Sequence, residues 1–273
     1  MNSSKKENCI SLRELRIIIG FCIVIFLLSF YRPLRFLKDN INIALDNNFQ
    51  LSNFDILSSF QDVGNVDFIS YMYIIIPLFV TLIIYVVDTN NGLIRMIRYG
   101  DRNRIWNKNI LLILASSFLL SILLVIGGYL VSGIILGSYK NLWNTETGLP
   151  YLLYGKTKIW GNLSQLLVSH KVIFIFWIMT FLGLSFIGAF ICTIKLFIRN
   201  IYVYIILIAI AFGDFFNIFN FSLIAKISVS QREWTHPQSI TFNIIYFLVG
   251  FLIFYFYGKY INSQKDQGIT KKS

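Results

Sequence analysis

Six apolar runs divide this 273-residue chain, at 17–31, 68–87, 110–137, 172–194, 201–224 and 240–257. A helix needs roughly 20 apolar residues to cross about 30 Å of hydrocarbon, and most of these runs reach that length. Lipid offers no water to satisfy backbone N–H and C=O groups, so each run has to bond within itself as a helix. The first run is short for a span unless the preceding "ISLRELR" lies at the interface and Arg16 snorkels outward. With 56% hydrophobic and 14% charged residues, the chain lies far from the makeup of a soluble domain. The expected fold class is an all-α membrane protein with six transmembrane helices. They form one domain, 1–273, without internal repeat or low-complexity linker.

Charge sets the expected orientation. The net charge of +11 does not gather into one patch, as nucleic-acid binding would require, but is parcelled out between the apolar blocks; no nucleic-acid partner is expected. Membrane lipid accounts for it better, because inner loops carry the excess of lysine and arginine. With the N-terminus inside, the inner segments hold Lys5, Lys6, Arg13 and Arg16, then Arg95, Arg98, Arg102, Arg104 and Lys108. Lys195, Arg199, Lys259, Lys265, Lys271 and Lys272 complete that set, 15 of the 24 cations, on mostly short segments. The outer loops keep nine cations on longer stretches and seven of the 13 acids. Both termini are therefore expected to be cytoplasmic. The first run is read as an uncleaved anchor, because "YRPLRFLK" follows it and no small-residue cleavage pattern does. Of three cysteines, Cys22 and Cys192 lie within apolar runs and are read as small hydrophobes, with no disulfide framework.

The outer loops have their own patterns. Leu51, Phe54, Leu57 and Phe60 recur every three residues, which predicts an amphipathic helix on the outer face. Trp143, Tyr151, Tyr154 and Trp160 suit a segment held at headgroup depth. "GLPYLLYGKT" ends in the Gly-Lys-Thr of a phosphate-binding loop, but such a loop needs glycine where Pro150 stands, and Gly148 is two positions early. No nucleotide, cofactor or metal site is expected in this chain. His170 and His236 flank outer loops, without the His-Glu-x-x-His spacing of a zinc site, and no acid pair sits in adjacent runs as a membrane protease needs. The chain is not expected to be an enzyme.

Asp214 is the one acid well inside an apolar run, in "AIAFGDFFNIFNF", and Asn217 and Asn220 follow it at intervals of three. One reading is a polar stripe facing a translocation path or proton relay. The other is that the segment breaks at Gly213 into a re-entrant piece, leaving Asp214 near the outer headgroups or capping a helix. Pro77 is expected to kink the second run. "GIILG" at 133–137 and the pair Gly127, Gly128 permit close helix contact, within the chain or at a dimer seam.

"RMIRYGDRNRIW", 95–106, is dense in arginine between two apolar runs. On a helix, Leu93, Ile94 and Ile97 fall together while Arg95, Arg98 and Arg102 face elsewhere, so the segment suits the inner membrane surface before Gly100 turns it. Arginine in place of lysine, at Arg95, Arg98, Arg102 and Arg104, favours bidentate pairing with an acidic protein surface. The segment resembles the first inner loop of permease subunits of type-2 ABC exporters from low-GC Gram-positive bacteria. In those an Arg-Tyr-Gly-x-Arg pattern is followed by an aromatic; Arg98, Tyr99, Gly100, Arg102 and Trp106 match it here.

That resemblance implies a bacterial cell-membrane protein whose inner segment, 88–109, is a coupling helix seated in a cleft of a separate cytoplasmic ABC ATPase. The coupling residues would be Arg95, Arg98, Tyr99, Gly100, Asp101, Arg102, Arg104 and Trp106. ATP and magnesium would be bound by that partner, and a second permease chain, identical or related, would complete the pore. It also implies an interfacial helix before the first span and re-entrant helices between the fifth and sixth. The N-terminal stretch is shorter, and the first outer loop longer, than that family's pattern. The expected function is export of an amphipathic peptide or lipid-like molecule, in bacteriocin or antimicrobial-peptide export or immunity. The alternatives are an ion-coupled secondary transporter using Asp214 and a non-transporting immunity or sensor protein.

Overall fold

The computed structural model describes residues 11–46, 49–57, 70–92, 101–216, 226–229 and 231–270. They form an all-α protein. Among the described residues five helices are long and apolar enough to cross a membrane, which makes this a multi-pass membrane protein. These are α1 (Leu12–Asp46), α2 (Tyr71–Asn90), α3 (Arg102–Leu136), α6 (Ser169–Ile194) and α9 (Pro237–Thr270). Between them lie α4 (Leu149–Tyr154), α5 (Trp160–Leu166), α7 (Asn200–Phe215) and α8 (Gln231–Thr235).

The helices outrun the apolar stretches that announced them. α1 begins at Leu12 with a reciprocal capping pair: Ser11 N–H donates to Glu14 Oε2 at 3.0 Å and Glu14 N–H donates to Ser11 Oγ at 3.2 Å. Leu12 to Arg16 is thus the first turn of the spanning helix, in place of a separate interfacial helix. α1 continues through Pro33, which leaves the Ser29 carbonyl without its usual donor. α7 contains 16 residues, about 24 Å of helix, and runs through Gly213 to end at Phe215. The rest of the fifth apolar run, with Asn217 and Asn220, lies outside the described residues. Pro77 sits in the first turn after a π-helical turn, Tyr71–Ile75, so the missing donor falls where the helix has already changed register.

α6 is the central helix, packed by α9, α3 and α2, while α1 lies against α2 and α3. A second π turn, Leu123–Gly127, shifts the register of α3 and brings Gly127 and Gly128 onto the rings of Phe26 and Phe30 of α1. The paired glycines therefore serve packing within the chain. In "GIILG", Gly133 leaves room for the Tyr139 ring, and Gly137 ends α3 in the left-handed conformation at φ 66°.

Contacts between distant residues fix which helix ends lie together. At one end, the polar end, stand the start of α1 (Glu14), the end of α2 (Asp88, Asn90), the start of α3 (Lys108, Asn109), Lys195 just past α6, and Asn200 of α7. Gly258 of α9 meets Trp106 there. The start of α1 and the last turns of α9 thus share one end of the bundle. The opposite, capped end holds Trp143 against Phe54, Phe176 and Trp234.

The cap corrects two sequence expectations. Residues 51–57 do not form an amphipathic surface helix; Asn53–Ile56 is a 3-10 turn with Phe54, Ile56 and Leu57 buried, and Phe60 lies outside the described residues. Threefold spacing of apolar residues fits a 3-10 turn as well as an α-helix, and Ser52 and Asp55 cap it reciprocally. Trp143 is fully buried and is not a headgroup anchor: its Nε1–H donates to Asp55 Oδ1 at 2.6 Å.

Candidate functional site

At the polar end, α1 meets α3, α2 meets α3, and α2 meets the α6–α7 turn through charges or amides. Lys108 Nζ lies 3.1 Å from Glu14 Oε1, with side chains only 8% and 11% exposed. Glu14 therefore uses one carboxylate oxygen on Ser11 N–H and the other on Lys108, which satisfies a charge that would be costly to bury alone. Asn90 Nδ2 donates to Asn109 Oδ1 at 2.7 Å, tying the end of α2 to the start of α3. Asp88 accepts from Lys195 Nζ at 2.5 Å and from Asn200 Nδ2 at 2.8 Å, and Lys195 also donates to Asn200 Oδ1. That triad joins α2 to the α6–α7 turn.

These links flank the arginine-rich segment. Asp88 and Asn90 sit at its entry, Lys108 and Asn109 at its exit. Of the proposed coupling residues, Arg95, Arg98, Tyr99 and Gly100 lie outside the described residues. Asp101 is the N-cap of α3, accepting from Asn103 N–H at 2.8 Å, and Arg104 Nε stands 3.9 Å from its other oxygen, both exposed. Arg102 is half-buried in a cavity of about 140 Å³ between the ends of α2, α3, α6 and α9. Trp106 is in the core, 2% exposed, its ring against Gly258, where any side chain would collide with it. It anchors the start of α3 and is not part of an exposed docking face.

A second feature is a groove of about 630 Å³ between α6, α7 and α9, walled by Phe186, Phe190, Phe242, Tyr246 and Phe254, with Asp214 its one acid among the described lining residues. Phe242, Ile245, Val249 and Ile253 line it and are also exposed, so it opens on the flank of the bundle. Lys226 Nζ lies 5.5 Å from the centroids of both the Phe242 and Tyr246 rings and donates to Asn243 Oδ1 at 3.3 Å. Asp214 thus lines an apolar recess two of whose rings, Phe242 and Tyr246, carry Lys226 near their faces. His170 and His236 are exposed, and among the described residues no three of His, Cys, Asp and Glu converge as a metal site.

The sequence reading missed Asp55. Burial raises its carboxyl well above the usual range, to about 7, against the opposing effect of the Ser52 N–H and Trp143 Nε1–H bonds. Between about pH 4 and pH 7 the folded cap binds a proton that the unfolded chain lacks. That stabilisation is complete below the ordinary carboxylate pKa and is lost as pH rises through about 7. The thermal midpoint in detergent is therefore expected to fall by a few degrees between pH 5.5 and pH 8. Asp55→Asn should flatten that step, measured as the difference between the two Tm profiles.

No protein-family model, curated protein or solved structure matches this chain.

Proposed function

We propose that this chain is the transmembrane permease subunit of an ATP-driven type-2 ABC exporter in a bacterial cell membrane, with both termini cytoplasmic. In this reading α7 and the residues after it complete a sixth crossing. That fits the α1 start and the last turns of α9 lying at one end of the bundle. The cargo is an amphipathic peptide or lipid-like molecule, for export or for immunity against it. A cytoplasmic ATPase binds ATP and magnesium, and a second permease chain, identical or related, completes the pathway.

The observation that carries the reading is the linkage at the feet of segment 88–109. A push on that segment reaches α1 through Lys108 and Glu14, and reaches α6 and α7 through Asp88, Lys195 and Asn200. The Asn90–Asn109 bond keeps the two feet together. Closure of an ATPase pair against it would then move several spans as a unit. Co-expression with a P-loop ATPase and pull-down tests this: replacing Arg98 and Arg102 together by glutamate is expected to abolish co-purification while membrane insertion persists. Unchanged complex formation would remove the docking role.

The groove around Asp214 favours a second reading, an ion-coupled carrier. It is told apart by flux under a pH gradient in vesicles that contain no ATPase.

A further inference from the structure

At the capped end the two short helices α4 and α5 carry a surface that the exporter reading leaves unused. Their inner side is built into the bundle: Leu149, Leu163 and Leu167 are buried, Asn141 Nδ2 donates to the Leu167 carbonyl at 2.7 Å, and Lys171 Nζ donates to the Gln165 carbonyl at 2.9 Å. The rings of Tyr151 and Trp160 meet edge to face at 5.1 Å and hold α4 against α5 as a hairpin. These two aromatics are engaged in packing, and much of what the hairpin turns outward is aliphatic and cationic. Leu152 is 51% exposed, Leu153 38% and Ile159 42%. Between them stand Lys156 and Lys158, both exposed, and among the described residues neither forms an ion pair. Glu146 is the one acid in 139–171, against Lys140, Lys156, Lys158 and Lys171.

Depth and charge name the partner. α6 has 26 residues, about 39 Å of helix against about 30 Å of hydrocarbon, so its ends stand in the headgroup layers. α5 ends at Leu166 and α6 begins at Ser169, and the bond from Lys171 to Gln165 keeps the two together, which puts the hairpin at headgroup depth. Apolar side chains left exposed in a group mark a surface that meets something apolar, and at this depth that is the upper part of the acyl layer. Lysine stems run along such a surface while their ammonium groups stay among the headgroups. The excess of cations then selects anionic headgroups over zwitterionic ones. We propose that the α4–α5 hairpin docks on anionic phospholipid, with Leu152, Leu153 and Ile159 among the upper acyl chains and Lys156 and Lys158 on the phosphates. The contact fixes the start of α6 at the interface, and it is independent of whether an ATPase engages the opposite end of the bundle.

The test uses the full chain in nanodiscs of phosphatidylcholine and phosphatidylglycerol, with Cys9→Ser and a fluorophore on Leu152→Cys or Ile159→Cys; Cys22 and Cys192 are buried. Nitroxide-bearing phosphatidylglycerol is expected to quench either label more strongly than nitroxide-bearing phosphatidylcholine, and aqueous iodide is expected to quench neither. Lys156→Gln and Lys158→Gln should each lower the preference for phosphatidylglycerol by up to about fivefold, the contribution of one cation at a membrane surface. Quenching by iodide and by neither lipid would put the hairpin in water and overturn the proposal. Equal quenching by the two lipids, unchanged in the lysine variants, would overturn the anionic partner. Protection from lipid and iodide alike would assign these side chains to a protein surface and overturn the proposal as well. Every substituted side chain on the hairpin is exposed, so the variants keep the packing that folds the chain.

Discussion

Lys108→Met is expected to destabilise the protein by about 3–5 kcal/mol, the cost of leaving one member of a buried ion pair without its partner. The Glu14 carboxylate would keep its bond from Ser11 N–H but lose the ammonium 3.1 Å away, in a place where its side chain is 11% exposed. Glu14→Gln takes the carboxylate away from Lys108 in the same way. The double variant Glu14→Gln, Lys108→Met should lose less than the two single losses added together, because both members of the pair are then gone. Thermal or denaturant unfolding of the four proteins in one detergent gives the cycle. Additive losses would mean that the pair is solvated and that the start of α1 is not held to α3 by charge. In the exporter reading the double variant should also weaken coupling between ATP hydrolysis and transport, since motion of the α3 foot would no longer reach α1 through this link.

Trp143→Ala is the second large expectation, again about 3–5 kcal/mol, for a different reason. The indole is fully buried and stands 5.6 Å from Phe54, 6.4 Å from Phe176 and 5.9 Å from Trp234, centroid to centroid. Its removal opens a cavity where the 3-10 turn, α6 and α8 meet, and takes from Asp55 one of its two hydrogen-bond donors. Trp143→Phe keeps most of the ring contact and loses the N–H, so its cost should be smaller, about 1–3 kcal/mol. It should also push the Asp55 carboxyl further upward, moving the pH-dependent step in Tm to higher pH. Equal stability of the alanine variant and wild type would mean that the cap does not form around this residue.

Hydropathy made the long helices legible, because a run such as 172–194 in lipid has one structural solution. It did not reveal how far the helices extend beyond the apolar runs. α9 continues to Thr270 and α3 begins at Arg102, since polar helical turns carry no apolar signal. Threefold spacing at Leu51, Phe54 and Leu57 misled for a related reason: period alone does not separate a surface helix from a buried 3-10 turn. The polar end was half visible. Arg102 and Arg104 stood out by composition, yet Glu14 with Lys108 and Asp88 with Lys195 are partners about a hundred residues apart, which nothing in local sequence connects. Trp106 read as part of the basic segment because it follows it directly, and only the approach of Gly258 shows that it faces inward. Asp55 resembled any loop acid until Trp143 closed over it.

The central claim is that segment 88–109 is a cytoplasmic foot gripped by an ATPase. In-cell photo-crosslinking from position 95, with the adduct identified by mass spectrometry, tests it most directly. A covalent adduct with a P-loop ATPase, diminished when Arg98 and Arg102 are glutamate, is the predicted result. Labelling of the same position from outside intact cells, with no ATPase adduct, would contradict it.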